Sequence, residues 1–471
     1  MIIYACHGAA KQVTGSCHLI ICNRRRILID CGLFQGGREI EQANAEPFEF
    51  DPASIDALLL THAHLDHCGR IPLLVKRGFR GRIYTTAATR ELARVVLLDS
   101  AGLQEEDARR AAVRKRNGNG RNGNGRNGDT PEGPLYTIDD ALHALDFFAA
   151  DVTYGDPVQV TDGIRARFLD AGHILGSASV LLELDDGHVQ RRMLFSGDLG
   201  NSGRPIVRDP LPAATADYVV MESTYGDRPH RSVPDSVEEL YQAIRETYAR
   251  RGNVVIPTFA LERTQEILYY LHQGIRNGSL PTNLRVFLDS PMAISATEIF
   301  RRHPECFDLD FIAELEHGDP FDMPGLHFTR ETSESMAINS IESGAVILSG
   351  SGMCNGGRVR HHLKHNLGRE RSSVVFVGYG AEGTLARRIV DGASTVQIFN
   401  NDIPVRAQVW TINGFSAHAD QPALLDWLGA AQRRRIFLVH GEYERGMRKF
   451  QEVLEARGFD CHLPGMGESI K

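Results

Sequence analysis

Short apolar runs recur along the chain, and each stops at a polar or glycine-rich corner. Ile27-Leu28-Ile29 runs into Asp30, Ala57-Leu58-Leu59-Leu60 into Thr61-His62, and Met193-Leu194-Phe195 into Ser196-Gly197-Asp198. Tyr218-Val219-Val220-Met221 ends at Glu222, and Ile436-Phe437-Leu438-Val439 ends at His440. Runs of this length bounded by turn residues predict buried strands. The repeated order, a strand followed by an acid or an imidazole, puts those side chains at strand ends, where a rigid scaffold can present them to one edge.

Helical spacing alternates with these strands. Val237, Leu240, Tyr241, Ile244 and Tyr248 share one face after a start at Pro234-Asp235, and Met447, Phe450, Val453 and Leu454 repeat the pattern near the C-terminus. A second group of strands lies between residues 250 and 380: Val254–Pro257, Arg285–Asp289, Ala345–Leu348 and Val374–Gly378, with a helix around Thr264–Leu271. Strands alternating with helices give an α/β class, and this group reads as a second open α/β domain inserted in the first.

Composition narrows the reading. At 471 residues, with 42% hydrophobic and 24% charged residues, the chain has material for several globular domains. A net charge of −8 argues against coating nucleic acid by bulk charge, so any nucleic-acid affinity has to come from a local basic region. Eight cysteines with no C-x-x-C pair point to free thiols in a reducing cytosol. No signal-peptide pattern and no stretch of roughly 20 apolar residues appears, so the expectation is a cytoplasmic protein without membrane attachment. Arg114–Asp129 is a low-complexity Asn-Gly repeat with arginines and predicts a flexible loop.

The strongest chemical signal is Thr61-His62-Ala63-His64-Leu65-Asp66-His67, with three imidazoles and a carboxylate in six positions after a strand. These are zinc-type ligands, and so compact a cluster on a loop can point at two adjacent cations. The spacing differs from a helical H-E-x-x-H site.

This H-x-H-x-D-H segment resembles the central motif of the metallo-β-lactamase superfamily, and the superfamily's other motifs follow in order. Asp30 in Ile29-Asp30-Cys31-Gly32, His173 in Gly172-His173-Ile174-Leu175-Gly176 and Asp198 in Ser196-Gly197-Asp198 resemble the first, third and fourth motifs. Glu222 in Glu222-Ser223-Thr224-Tyr225-Gly226, His418 in Ser416-Ala417-His418-Ala419-Asp420 and His440 in Val439-His440-Gly441 resemble motifs A, B and C of the β-CASP branch. Phe259-Ala260-Leu261, Asp289-Ser290-Pro291-Met292-Ala293 and Glu382-Gly383-Thr384 also resemble that branch, which includes the endonuclease subunit of the pre-mRNA cleavage and polyadenylation machinery with its bacterial and archaeal relatives. Glu262 stands where relatives often have glycine, a change expected to alter the inserted domain's surface and leave the metal site untouched. The N-terminal RNA-binding module of archaeal relatives is not expected, because the catalytic fold starts at residue 1.

The resemblance implies an αββα sandwich over residues 1–224 and 390–471, with a β-CASP α/β domain over 225–389. It implies two Zn²⁺ per chain. One is held by His62, His64 and His173, the other by Asp66, His67 and His440, with Asp198 and a hydroxide between them. Asp30 orients the metal loop. The implied activity is hydrolysis of single-stranded RNA, with Asp66, Glu222 and His418 catalytic: His418 is the general acid, and Glu222 holds its ring. A histidine at motif C resembles RNA-acting members, DNA-processing relatives tending to carry valine. The 242 residues from Asp198 to His440 imply a domain lidding a long cleft for a polymer. Ser349-Gly350-Ser351-Gly352 and Gly378-Tyr379-Gly380 are candidate phosphate contacts. Homodimers are common among such relatives. Three other readings stay open at this level. One is a small-molecule ester or lactam hydrolase and another a non-catalytic RNA-binding relative. A redox di-iron protein is the third, although such relatives prefer an acid where this chain has His64.

Overall fold

A computed structural model of the chain describes residues 1–116, 133–149, 151–316, 318–378, 380–430 and 433–471. Residues 117–129 of the Asn-Gly repeat and Tyr379 lie outside the described residues, and so do the expectations attached to them; residues 114–116, expected to begin the loop, instead close the helix Ala87–Arg116. The chain divides into two compact units. The first comprises Met1–Ser202, Asp209–Arg228 and His418–Lys471; the second comprises Gly203–Arg208 and Pro229–Ala417.

Two sheets make the first unit. One has six strands in the order Ser469–Ile470, Ile2–Cys6, His18–Cys22, Arg25–Ile29, Ala57–Leu59 and Arg82–Tyr84. The other has seven, in the order Cys461–His462, Arg435–Val439, Tyr218–Glu222, Gln190–Phe195, Ala178–Asp185, Ile164–Asp170 and Pro157–Thr161. Alternation along the strands explains the layering. Ile27, Ile29, Ala57 and Leu59 of the first sheet share a core with Phe168, Val180, Phe195 and Val439 of the second. Leu194, Val219 and Leu438, one position out of phase, pack instead with Leu424, Trp427, Phe450 and Leu454 of the helices Gln421–Leu428 and Arg448–Ala456. Leu28 and Leu58 point away from the shared core yet are fully buried, so the first sheet is covered too. The result is an αββα sandwich with both sheets buried on both faces.

Strand direction assembles the chemistry. Arg25–Ile29 runs parallel to Ala57–Leu59, and Gln190–Phe195, Tyr218–Glu222 and Arg435–Val439 run parallel to one another. Parallel strands end at the same edge, so Asp30, the loop from Thr61, Asp198, Glu222 and His440 emerge there.

The second unit is built on one parallel sheet, in the order Leu326–Phe328, Arg285–Leu288, Ala345–Ser349, Val254–Pro257, Ser373–Phe376 and Gln408–Thr411. The last strand belongs here because it pairs with Ser373–Phe376, so this unit runs past residue 389, the limit expected from sequence. Glu262 corrects another expectation. It is buried at 8% exposure and adopts φ 60°, a conformation that favours glycine, so it is a strained interior position and not a surface one.

Candidate metal centre

The loop after Ala57–Leu59 is fixed from below by Asp30. This buried carboxylate accepts hydrogen bonds from the Thr61 amide and hydroxyl, both 2.8 Å, and from Nδ1 of His67 at 2.7 Å. With its proton given to Asp30, the Thr61 hydroxyl can only accept from Nδ1 of His62, 3.1 Å away. Two rings are thereby turned so that Nε2, and not Nδ1, faces the open edge. Asp30 itself sits at φ 61° and His440 at φ 49°, two non-glycine residues in the left-handed region at one edge. Glycines permit the close approach of the loops. A Cβ on Gly32 would lie 1.6 Å from the Asp66 carbonyl oxygen, and one on Gly200 would lie 1.6 Å from that of Gly172.

Nitrogens converge where the rings are aimed. His64 Nδ1 lies 3.1 Å from His62 Nε2 and 3.2 Å from His173 Nε2. Asp198, 1% exposed, stands between two groups: Oδ2 is 3.5 Å from His62 Nε2 and 3.6 Å from His173 Nε2, while Oδ1 is 3.2 Å from His67 Nε2 and 3.6 Å from His440 Nε2. Asp66 Oδ2 completes the second group at 3.4 Å from His440 Nε2. His62, His64, His173 and Asp198 form one set with ligand atoms close enough to share an ion; Asp66, His67 and His440 form another.

Neither oxygen of Asp198 has a hydrogen-bond partner, although both are buried. Asp30, Asp198 and Glu222 are all almost inaccessible, and stripping a carboxylate of water costs several kcal/mol unless a cation or donors compensate. Asp30 and Glu222 have well-directed donors, whereas Asp198 has only imidazole nitrogens 3.2–3.7 Å from its oxygens, none in hydrogen-bond geometry. A divalent cation on each side of Asp198 fits both the orphaned oxygens and the imidazole donor set.

Protonation follows from the same geometry. Burial pushes His62 down to about 3 and His64 down to about 4, and pulls His173 well below its usual value, so these rings are neutral at pH 7. Burial also pulls on His67, but Asp198 and Asp30 on its two sides outweigh it and hold the ring well above the usual histidine range. His418 behaves likewise: burial is the largest single influence, yet Glu222, Asp198 and Asp66 together raise it to about 9. Its Nδ1 lies 3.1 Å from Glu222 Oε2 and 3.7 Å from Asp198 Oδ2.

The metal-binding and catalytic residues expected from sequence thus lie at one edge of the first unit, whereas the candidate phosphate contacts at residues 349–352, Gly378 and Gly380 belong to the second unit. Two partners were not foreseen. Thr224 Oγ1 donates to Glu222 Oε2 at 2.6 Å and lies 3.0 Å from His440 Nδ1. Asn201 grips the backbone that carries His418: its amide donates to the His418 carbonyl at 2.7 Å, and its oxygen accepts from the Asp420 amide at 3.1 Å. Asn201 follows Asp198 by three residues, but nothing in its spacing announces a partner 217 positions away.

Comparison with known proteins agrees with this geometry. Residues 10–258 match the metallo-β-lactamase superfamily, 264–389 the Beta-Casp domain, and 402–464 the Zn-dependent metallo-hydrolase RNA specificity domain. The chain belongs to the β-CASP branch of the metallo-β-lactamase superfamily. It is 39% identical over 98% of its length to a protein of Thermus thermophilus named ribonuclease, 98% of which is covered. It is 31% identical over 94% of its length to an RNase J-like protein of Methanocaldococcus jannaschii, 93% covered. A transcription termination factor of the same archaeon is 30% identical over 92% of this chain, which spans 66% of that longer protein. A crystal structure of a protein of unknown function from Enterococcus faecalis shares the fold, with a TM-score of 0.55 at 12% identity over 100% of this chain and 99% of the other. The His/Asp cluster of this β-CASP protein is therefore a metallo-hydrolase site able to bind metal. Among the described residues no helix is long and apolar enough to cross a membrane.

Proposed function

We propose that this β-CASP protein is a zinc-dependent ribonuclease that hydrolyses phosphodiester bonds of single-stranded RNA. His62, His64 and His173 would hold one zinc and Asp66, His67 and His440 the other, with Asp198 shared. Two cations so held supply Lewis-acid stabilisation of phosphate oxygens and activation of water at neutral pH. The chain's own residues do the rest. Glu222 accepts from Nδ1 of His418 and keeps the ring charged, so that Nε2 carries a proton for the leaving oxygen. Asn201 fixes the segment that presents this ring. Thr224 and the Leu199 amide, 2.6 Å from Oε1, satisfy the buried Glu222 and stop it turning away.

The observation that carries the reading is the Glu222–His418 pair beside Asp198. A site that only bound metal has no use for a buried carboxylate dedicated to a charged imidazole, whereas expulsion of a poor alkoxide leaving group requires an acid. The names of the relatives, two of them nucleases, support RNA as substrate. Free thiols throughout, seven of eight buried, fit a cytoplasmic protein. The test is incubation of the zinc-loaded protein with end-labelled single-stranded RNA, alongside metal analysis. Internal or terminal cleavage with two zinc per chain is expected; intact RNA with a full metal complement would overturn the reading.

A further inference from the structure

Many surface cations elsewhere in this chain sit against carboxylates. Arg25 pairs with Asp56 and Asp162, Lys76 with Asp140, Arg330 with Glu298 and Arg435 with Asp460. A chain with 60 acidic and 52 basic side chains has acids enough for this. The stretch from Arg358 to Arg371 departs from the pattern. It holds Arg358, Arg360, Lys364, Arg369 and Arg371 against one acid, Glu370. Arg358 is committed to the buried Asp289 at 2.8 Å. The other four have no ion pair among the described residues; Arg360 and Arg369 reach only backbone carbonyls, at 3.5 and 3.3 Å.

The helix Val359–Asn366 organises these charges. His362, Leu363 and Asn366 are buried, so Arg360, His361, Lys364 and His365 fall on the opposite, solvent face. Exposed Arg406 is brought to the end of this helix by its amide, which donates to the Leu367 carbonyl at 2.8 Å. At the side stands Phe399, 38% exposed, its ring centroid 4.5 Å from that of His361 and 4.5 Å from the Arg360 guanidinium. The field is felt locally: burial first, then neighbours including Lys364 and Arg360, lowers His361, and burial followed by Lys364 and Arg369 lowers His365. Like charges four apart, such as Arg360 and Lys364, destabilise a helix by a few tenths of a kcal/mol, roughly 0.2–0.5. Concentrating cations here, unpaired, in an acidic chain fits a polyanionic ligand.

We propose that this face, with Arg369, Arg371 and Arg406 beyond it and Phe399 at its side, binds the sugar-phosphate backbone of single-stranded RNA. The proposal rests on the ribonuclease reading for its choice of polyanion. A partly exposed ring beside Arg360 and His361 favours RNA over an acidic protein, because an aromatic ring set among cations is the surface an unpaired base stacks on.

The probe is a fluorescent single-stranded oligoribonucleotide with a phosphorothioate backbone to slow hydrolysis, bound to the whole zinc-loaded protein. The variant Arg360→Gln/Lys364→Gln/Arg371→Gln is expected to melt like the parent and to bind about tenfold or more weakly, with a salt slope shallower by roughly two, at ~0.7 for each phosphate no longer neutralised. Phe399→Ala should weaken binding about fivefold or more, the lower end of the value of one stacked base. Arg435→Gln, which removes a paired surface cation, should change nothing, and activity on p-nitrophenyl phosphodiesters should be the same in all. Parental affinity and salt slope in the triple variant overturn the proposal. So does a triple variant that binds RNA normally and no longer binds poly-glutamate, which would make the partner an acidic protein. Loss of RNA binding with the three charges, in a protein that cleaves no RNA, would uphold this surface and sink the ribonuclease reading instead.

Discussion

Thr224 places one hydroxyl between Glu222 and His440, 2.6 Å from the carboxylate and 3.0 Å from Nδ1 of the ring. The hydroxyl proton goes to the carboxylate, so the oxygen accepts from Nδ1 and leaves Nε2 of His440 as the lone-pair nitrogen facing Asp66 and Asp198. One side chain thus sets the tautomer of a proposed metal ligand and steadies the carboxylate behind the proposed acid. Thr224→Val is expected to lower zinc occupancy towards one per chain and activity by roughly 10–100-fold, the weight of such supporting contacts. Thr224→Ser should restore both. Full zinc and activity in the valine variant would show that His440 is held without the hydroxyl.

His418 and Glu222 should act as one unit. His418→Ala is expected to retain metal and lose roughly 10²–10⁴-fold in RNA cleavage. Glu222→Gln should lose less, and the double variant no more than His418→Ala. A p-nitrophenyl phosphodiester has a good leaving group, so His418→Ala should regain most of its activity on it while Asp198→Ala should not. Equal losses on both substrates would place His418 among the metal-holding residues.

Metal loading should release protons. In metal-free protein the His67 ring is held protonated between Asp30 and Asp198, so binding a cation at Nε2 displaces that proton. Zinc affinity is therefore expected to rise with pH up to the raised value of His67, roughly tenfold per pH unit for one proton. His418 near 9 in the metal-free protein should titrate lower once cations stand beside it, and lower still in Glu222→Gln. Calorimetry in buffers of different ionisation enthalpy counts the protons; zero release at pH 7 contradicts the His67 assignment.

Asp289 is the electrostatic pivot of the second unit. It is buried, and burial alone would raise its carboxyl; hydrogen bonds from His362, Ser335, Thr329 and Arg358 prevail and hold it at about 2. A depressed carboxyl contributes stability above its unfolded value, close to 3.8, and loses it as pH falls towards 2. Asp289→Asn, leaving Arg358 without its counter-charge, should cost about 3–5 kcal/mol at pH 7 by urea unfolding. The deficit should shrink at pH 3; one that stays constant would mean that shape and not charge matters there.

Much of this protein is legible in its residue order, because strand ends and metal ligands are local facts. His62, His64, Asp66 and His67 occupy six positions, and Asp198, Glu222 and His440 each end an apolar run, so the αββα class and the proposed ligands follow from pattern and resemblance. The strand Gln408–Thr411 escaped that reading: its place depends on which parallel neighbour it joins, and periodicity says nothing of partners. The burial of Glu262 escaped it too, since a charged residue in a turn reads as surface.

What the sequence could determine was identity and order; what only the tertiary structure decided was who faces whom. Thr224 meets His440 across 216 positions, Asn201 meets His418 across 217, and the solvent face of Val359–Asn366 acquires Phe399 and Arg406 from a later hairpin and loop. Contacts at such separations are fixed by sheet order and chain direction. Hydrogen-bond direction and uncompensated charge, which set the tautomers at the metal edge and mark the basic face, exist only once those contacts are made.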